Sequence, residues 1–312
     1  MTQEIPMHRP DMTPGKTALI LGASGKFGRN AAQAFADRGW QIRRFDRKRD
    51  DLMLAAQGVD VIVNGWNPPS YNLWAKELLP AHQSVARAAR ASGATVIIPG
   101  NVYNFGPDAP RGWSETTPHL ATNPLGRLRI AVEQGYRDAQ VQTIVLRAGD
   151  FWDTARSQNW FDLFIAKKAH RGVMSYPGDL DTPHAWAFLP DLARAAVLLA
   201  ERRETLTRFE DVPFPGYTLT GRALADAMAQ VLDRPVRTRR MSWLPLQLAR
   251  PFMPVLKGVF EMRYLWGLPH HLDGSKLARL CPDFVPTPMD QALAQALEPF
   301  APEVLSGRPA PA

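Results

Sequence analysis

Cysteine is almost absent from this chain of 312 residues, which contains only Cys281. A single cysteine excludes a disulfide framework, and no group of cysteines and histidines has the spacing of a zinc site. Long apolar runs are also missing. Because there is neither a signal-peptide segment nor a run long enough to span a bilayer, we expect a cytoplasmic protein without a membrane span.

Acidic residues are outnumbered by basic ones, and the formal net charge is +7. Basic clusters such as Arg43-Arg44 and Arg47-Lys48-Arg49 could contact phosphates, so nucleic acid has to be considered as a partner. No recognition-helix or RNA-binding motif accompanies them, and both clusters flank the nucleotide pocket predicted below. We therefore expect a small-molecule substrate and no nucleic acid, while a homodimer stays open.

The first half of the chain alternates strands and helices. Strands are predicted at residues 17–21, 40–46, 59–63, 95–98 and 142–146, and helices at residues 25–38, 73–92, 125–139 and 190–202. This alternation is typical of an α/β fold with a doubly wound parallel sheet. The predicted domains are a tail (1–15), a nucleotide-binding domain (16–170, with 185–203 packing back on it), a small, mostly helical substrate lobe (204–300) and a disordered tail (301–312).

The most informative segment, residues 22–28, reads Gly-Ala-Ser-Gly-Lys-Phe-Gly and joins an apolar strand to an amphipathic helix. Gly22 permits a tight turn, Gly25 lets a pyrophosphate approach the main chain, and Gly28 lets the helix pack against its strand. A helix N-terminus at this place offers bare N–H groups to phosphate. The segment therefore predicts a dinucleotide-binding loop.

Several segments in order resemble one family. The glycines stand at the first, fourth and seventh positions of the loop, and similar motifs occupy residues 58–63, 100–106, 146–151, 188–193 and 284–287. Together they resemble the extended and atypical short-chain dehydrogenases/reductases of the NAD-dependent epimerase/dehydratase type. The resemblance covers nearly the whole chain, and it implies a Rossmann-type fold, an NAD(P) cofactor and an oxidoreductase or epimerase activity on a small molecule.

The family's catalytic signature is missing from this sequence. The position of the family Tyr, which acts as acid or base, is occupied by Leu125, and that of the family Lys by Arg129. The family Ser falls at about Pro99. Leu125 has no proton to transfer, and Arg129 can hold a ribose but stays charged. The resemblance therefore implies a cofactor without implying the family mechanism.

Other residues could replace the missing groups. Tyr103 and Asn101 follow a predicted strand at the edge where open α/β sheets bind ligands, so they are the catalytic candidates. The alternative role of Tyr103 is a packed aromatic beside the cofactor. His119 and His184 are further titratable candidates, each with a surface or structural role as its alternative. A non-catalytic dinucleotide-binding sensor or assembly protein is the alternative function.

The candidate cofactor-binding residues come from the loop, the ends of the second and third strands and the family Lys position. They are Gly22, Ala23, Ser24, Gly25, Lys26, Phe27, Gly28, Asp46, Arg47, Asp51, Leu52, Asn64, Gly65, Trp66 and Arg129. Asp46 can accept hydrogen bonds from a ribose 2′-OH, which favours NAD. Arg47 could pair with the 2′-phosphate of NADP if Asp46 turns away. Trp66 is either a pocket wall or core, and no metal is expected.

Overall fold

The computed structural model describes residues 15–305 of the chain. The tail predicted for residues 1–15 therefore lies outside the described residues except for Gly15. Of the tail predicted for residues 301–312, the part 306–312 is outside as well, whereas Pro302–Leu305 form a short helix. No helix in the described part is long and apolar enough to cross a membrane.

The described chain contains eleven strands. They are β1 (Thr17–Leu21), β2 (Gln41–Phe45), β3 (Val61–Asn64), β4 (Thr95–Gly100), β5 (Thr143–Arg147), β6 (Asp150–Trp152), β7 (Val173–Tyr176), β8 (His184–Phe188), β9 (Phe209–Pro213), β10 (Tyr217–Leu219) and β11 (Arg237–Arg240). Six of them form one parallel sheet in the order β2-β1-β3-β4-β5-β9. The others form two small sheets, β10-β8-β6 and β11-β7.

Eleven α-helices lie in the same residues. They are α1 (Lys26–Asp37), α2 (Leu52–Ala55), α3 (Tyr71–Ser92), α4 (Pro124–Asp138), α5 (Leu189–Glu201), α6 (Gly221–Leu232), α7 (Leu244–Ala249), α8 (Val255–Glu261), α9 (Ser275–Leu280), α10 (Met289–Leu297) and α11 (Pro302–Leu305). Each long helix of the first half lies within about two residues of its predicted bounds. The N-cap of α6 is Thr220, whose side chain accepts a hydrogen bond from the Ala223 N–H.

Burial explains the parallel sheet. Every residue of β1, β3 and β5 is buried, as expected for strands covered on both faces. Helices α1 and α5 pack on one face, and α3 and α4 pack on the other. The buried face of α1 is rich in alanine, and these small side chains let the helix pack closely on the sheet. The predicted doubly wound α/β architecture is confirmed.

The order of the strands creates a crevice. The chain passes from β1 through α1 to β2 on one side of β1, and then crosses to β3 on the other side. The winding direction therefore reverses at β1. In open α/β sheets, the carboxyl ends of the strands at such a reversal are the place where ligands bind.

The second half forms a smaller lobe with its own aromatic core. Trp152, Trp186 and Trp266 are buried there together with apolar faces of α6 and α10. The domain boundaries differ from the predicted ones, because β9 belongs to the large sheet and pairs with β5 although residues 204–300 were assigned to the lobe. Leu277 of α9 also packs on the sheet core. Strand β9 contains acidic residues and a proline, so its sequence does not read as a buried strand of the large sheet.

A buried polar cluster beneath β3 carries a pH-dependent contribution to stability. His82 of α3 places Nδ1 3.0 Å from the Tyr136 hydroxyl and 3.3 Å from Asn64 Nδ2. Its Nε2 has no hydrogen-bond partner among the described residues. Burial, helped by the charge of Arg129, lowers the pKa of His82 to about 3. The imidazole is therefore neutral in the folded protein at neutral pH.

We expect the free energy of unfolding to decrease as the pH falls below the pKa of a histidine in the unfolded chain. The unfolded chain takes up a proton near a pKa of about 6.5 and the folded chain does not. The contribution of His82 to stability is fully present above about pH 6.5 and is lost as the pH falls toward 3. Over this range the free energy of unfolding changes by about 1.4 kcal/mol per pH unit. Urea unfolding at several pH values should show a shallower slope for His82→Gln. The exposed control His170→Gln should keep the wild-type slope; equal slopes in all three proteins would contradict the assignment.

Candidate functional site

The glycine loop follows β1 directly. Gly22 has a φ of +71°, and the Gly25 N–H donates a 2.8 Å hydrogen bond to the Gly22 carbonyl. A Cβ on Gly28 would lie 2.2 Å from the Gly22 oxygen, so only glycine lets α1 pack against the loop. The turn role of Gly22 and the packing role of Gly28 are thus observed. A Cβ on Gly25 would meet one atom, at 3.1 Å.

The N-terminus of α1 faces the crevice without a side-chain cap. Gly25 is its N-cap residue, and no acidic residue lies in its first turn. The first N–H groups of a helix have no partner inside the helix, and the helix dipole adds positive potential at this end. A twelve-residue helix that begins in this way can bind an anionic group.

The end of β3 forms the opposite wall of the loop. A Cβ on Gly65 would lie 3.1 Å from the Gly28 nitrogen, so the two glycines let the segments touch. Asn64 is buried and turns its amide toward His82, while its Oδ1 accepts a hydrogen bond from the Trp66 N–H. The structure therefore places Gly65 and Trp66 at the crevice, whereas the Asn64 side chain shapes the turn from inside.

The residues after β2 lie at the far end of the crevice. The Asp46 carboxylate accepts the Lys48 N–H and lies 3.6 Å from the Arg49 side chain. The Arg47 guanidinium lies 5.7 Å from the centre of the Trp66 ring, across the crevice. Asp51 caps α2, with its Oδ1 accepting the Leu54 N–H. Leu52 beside it is half-buried against the α3 side of the core.

Helix α4 carries Leu125 and Arg129, the residues that the sequence resemblance aligns with the family Tyr and Lys. Leu125 is buried, and its N–H donates to Glu261 Oε1 at 2.6 Å. Arg129 donates to Asn67 Oδ1 at 2.8 Å and stacks 4.3 Å from the ring of Trp74. Burial lowers the pKa of Arg129 to about 10, so it remains charged at neutral pH. Neither position can act as a base.

Two tyrosines, one at the start of α3 and one after β4, are in contact. The hydroxyls of Tyr71 and Tyr103 are 2.7 Å apart, and Trp74 stacks on Tyr103. Asn101 Oδ1 accepts the Tyr103 N–H, so this side chain shapes the loop that carries Tyr103. Burial raises the pKa of both tyrosines, which keeps the hydroxyls protonated. Tyr71 was not among the predicted site residues, because no motif marks it and α3 was predicted to begin two residues later.

Charged groups complete the crevice on the side of β5. Asp150 Oδ2 lies 2.8 Å from His184 Nε2, and the centre of the His184 ring lies 4.3 Å from that of Trp266 in a stacked arrangement. Burial lowers the pKa of Lys26, against the opposing charges of Asp162 and Asp150. Lys26 was predicted from its place in the loop and His184 as a titratable candidate. Asp150 was missed although it lies in a family-like segment.

His119 belongs to a different cluster. Its Nε2 is 2.7 Å from Asn104 Nδ2, and its ring nitrogens lie 3.8 Å from Glu133 and Asp211. Within the described residues, these three groups have metal-ligand proximity, with ligand atoms within 4.8 Å of one another. Both carboxylates already pair with the buried guanidinium of Arg147. The cluster is therefore a structural ion network, since breaking such a pair would leave a buried charge uncompensated.

A cavity of about 750 Å³ opens beside the tyrosine pair. It lies between the first turns of α3 and α4 and the α7–α8 segment, and Tyr71 forms one wall. Leu125 and Leu128 supply apolar surface, and Lys257 and Glu261 supply charge. The cavity is large enough for a small molecule, and of the two tyrosines Tyr71 is the one that lines it.

Solved structures share the fold over nearly the whole chain. MoeE5 in complex with UDP-glucose and NAD has a TM-score of 0.70 at 15% identity, covering 93% of this chain and 99% of its own. A nucleoside-diphosphate-sugar epimerase from Pseudomonas aeruginosa has a TM-score of 0.69 at 17% identity, covering 93% and 98%. A short-chain dehydrogenase/reductase superfamily protein from Agrobacterium tumefaciens with bound NAD has a TM-score of 0.68 at 13% identity, covering 93% and 98%.

No protein-family model and no curated protein matches the sequence. At identities this low, the structural likeness establishes the fold alone. The chain has the fold of these short-chain dehydrogenases/reductases and nucleotide-sugar epimerases, as the sequence motifs predicted.

Proposed function

We propose that this chain binds a dinucleotide in the crevice, with the pyrophosphate on the N-terminus of α1. The uncapped N-terminus of α1 beside Gly22 and Gly25 carries this proposal. Solved structures of the same fold hold NAD, which supports it. Calorimetric titration with NAD and NADP, oxidised and reduced, tests it, and a failure of all four to bind would overturn it.

The residues around the loop fit such a ligand. Gly22 and Gly65 let the loop and the end of β3 pack main chain against main chain, and Arg47 and Trp66 offer a cation and an aromatic face at the adenosine end. Arg129, whose guanidinium donates to Asn67, would contact the other ribose in this proposal. The bound nicotinamide would supply or accept a hydride, and the chain's own part is to orient the partner and to move a proton.

The activity that this arrangement supports best is that of an oxidoreductase or epimerase acting on a small molecule. Tyr103 is the proton donor in this proposal, because its hydroxyl is protonated and bonded to a second hydroxyl on Tyr71. Tyr71 orients that hydroxyl. Leu125 and Arg129 take no part in proton transfer. The reaction therefore differs from the family's in its acid–base groups.

The alternative is a non-catalytic dinucleotide-binding sensor or assembly protein, favoured by Leu125 and Arg129 in the two family positions. An oxidoreductase would oxidise reduced cofactor with a carbonyl substrate or reduce oxidised cofactor with an alcohol, and an epimerase would convert a nucleotide sugar with no net change in the cofactor. A sensor would bind cofactor without turnover and change its affinity for another protein. Cofactor absorbance and product analysis across a substrate panel separate the two.

For the choice between dinucleotides, we expect NAD to bind at least about tenfold more tightly than NADP, a difference of about 1.4 kcal/mol. The Asp46 carboxylate repels a 2′-phosphate and accepts a ribose hydroxyl instead. Asp46→Asn should reduce this preference, whereas the exposed control Asp37→Asn on α1 should leave it unchanged. A tenfold preference for NADP would mean that Arg47 pairs with the phosphate.

A further inference from the structure

The segment around α7 is unusually apolar for an exposed surface. Leu244, Leu248 and Phe252 are 62%, 68% and 84% exposed, and Met253 beside them is exposed as well. These four lie within ten residues, whereas the whole described chain has nine large hydrophobic side chains this exposed. Leu244 and Leu248 are four residues apart and therefore share the outer face of α7.

The inner face of the same segment is anchored, so the exposure is not a sign of loose packing. Trp243 is buried and donates its indole N–H to the Pro177 carbonyl at 2.8 Å. Leu246 packs against the aromatic core of the smaller lobe. The packed inner face therefore keeps the outer side chains exposed to solvent, and nothing in the described chain covers them.

The same stretch of chain is strongly basic. No acidic residue lies between Asp233 and Glu261, an interval that contains six basic ones. Within residues 15–305, none of the six takes part in an ion pair. They are Arg234, Arg237, Arg239, Arg240, Arg250 and Lys257.

A neighbouring segment extends this charge. The Arg234 side chain donates to the His170 carbonyl, and β11 pairs in parallel with β7. These contacts bring the exposed Lys167, Lys168 and Arg171 beside the arginines of β11. We call these basic side chains, which lie in the same stretch of chain as the exposed apolar ones or in the segment that pairs with it, the basic rim.

We propose that this surface, the α7 face with Leu244, Leu248, Phe252 and Met253 and its basic rim, docks on an anionic lipid bilayer. Apolar side chains presented beside lysines and arginines are what an interfacial segment uses, since the former enter the acyl boundary and the latter meet lipid phosphates. Pro245, Pro251 and Pro254 assist, because proline has no N–H to desolvate.

Charge and shape disfavour two other occupants. A second copy joined through the same surface would set arginine against arginine, which repels. A nucleic acid would pair with the arginines but leave Leu244 and Leu248 in water. An anionic bilayer offers acyl chains to the apolar side chains and phosphates to the basic ones. Arg250 and Lys257 also line the cavity beside Tyr71, so docking would hold the candidate site close to the membrane surface.

Vesicle sedimentation with the full-length protein tests the proposal. Vesicles of phosphatidylcholine with about 30% phosphatidylglycerol should bind the protein, and pure phosphatidylcholine vesicles should bind it much less. Phe252→Ser should weaken binding about tenfold, because a phenyl ring no longer leaves water. Arg239→Glu with Arg240→Glu should weaken it at least about 25-fold, since each basic side chain near such a surface contributes about fivefold.

Matched controls separate this surface from general attraction. Val285→Ser removes an exposed apolar side chain elsewhere, and Arg87→Glu with Arg90→Glu reverses two charges on α3. Both should bind vesicles within about twofold of the wild type, and thermal unfolding verifies that every variant is folded. Equal losses in the controls, or no preference for anionic vesicles, would overturn the proposal.

Two further measurements identify a different occupant. Binding of a labelled oligonucleotide that the Arg239/Arg240 variant abolishes, without vesicle binding, would assign the surface to nucleic acid. A dimer by analytical ultracentrifugation that Phe252→Ser converts to monomer, without vesicle binding, would assign it to self-association. Either result refutes lipid docking. Neither depends on cofactor binding, so the function proposed above stands or falls separately.

Discussion

Gly25→Asp should weaken dinucleotide binding by at least about a hundredfold, because a like charge placed against a phosphate costs several kcal/mol. Gly25 is the N-cap of α1, where the pyrophosphate is proposed to sit. A Cβ here has only one close neighbour, the Gly22 oxygen at 3.1 Å. The variant should therefore fold, and its defect should be confined to the anion site.

Two controls make the Gly25 result interpretable. Gly25→Ala adds the same Cβ without the charge and should lose much less affinity. Gly135→Asp introduces the same charge on α4, where a Cβ meets nothing within 4 Å, and should bind as the wild type does. Calorimetry with NAD and NADP provides the affinities. Unchanged affinity of Gly25→Asp for both cofactors would show that the pyrophosphate does not bind at the N-terminus of this helix.

Tyr103→Phe should lower turnover by about a hundred- to ten-thousand-fold, the usual contribution of a general acid. The substitution keeps the ring that stacks on Trp74 and removes only the hydroxyl that contacts Tyr71. Burial raises the pKa of Tyr103, so its hydroxyl is protonated before the reaction. The assay follows oxidation of reduced cofactor with simple aldehydes and ketones.

The matched control is Tyr264→Phe, which removes a buried hydroxyl that has no hydrogen-bond partner among the described residues. It should retain wild-type turnover. Tyr71→Phe should show an intermediate loss of turnover, because the Tyr71 hydroxyl orients the proton donor without being the donor. If Tyr103→Phe turns over within about threefold of the wild type, far below the range for a general acid, Tyr103 is a packing residue. His184 would then be the next group to test.

Local sequence was enough to predict the elements that position the site. The apolar run of β1, the glycines at residues 22, 25 and 28 and the amphipathic pattern of α1 are short-range features, and β1 was predicted with its observed bounds. Such features depend on backbone freedom and on helical or strand periodicity, which neighbouring residues determine. The same holds for Leu125 and Arg129, whose side-chain chemistry alone excludes the family's acid–base pair.

Only the tertiary structure decided which side chains meet. Tyr71 and Tyr103 are separated by 32 residues, and their hydroxyls touch because α3 begins beside the end of β4. Asn64 was predicted at the cofactor, yet its amide turns inward to His82 because a buried polar group must find a partner. Strand β9 joined the large sheet through pairing with β5, a long-range contact that periodicity in its own sequence does not encode.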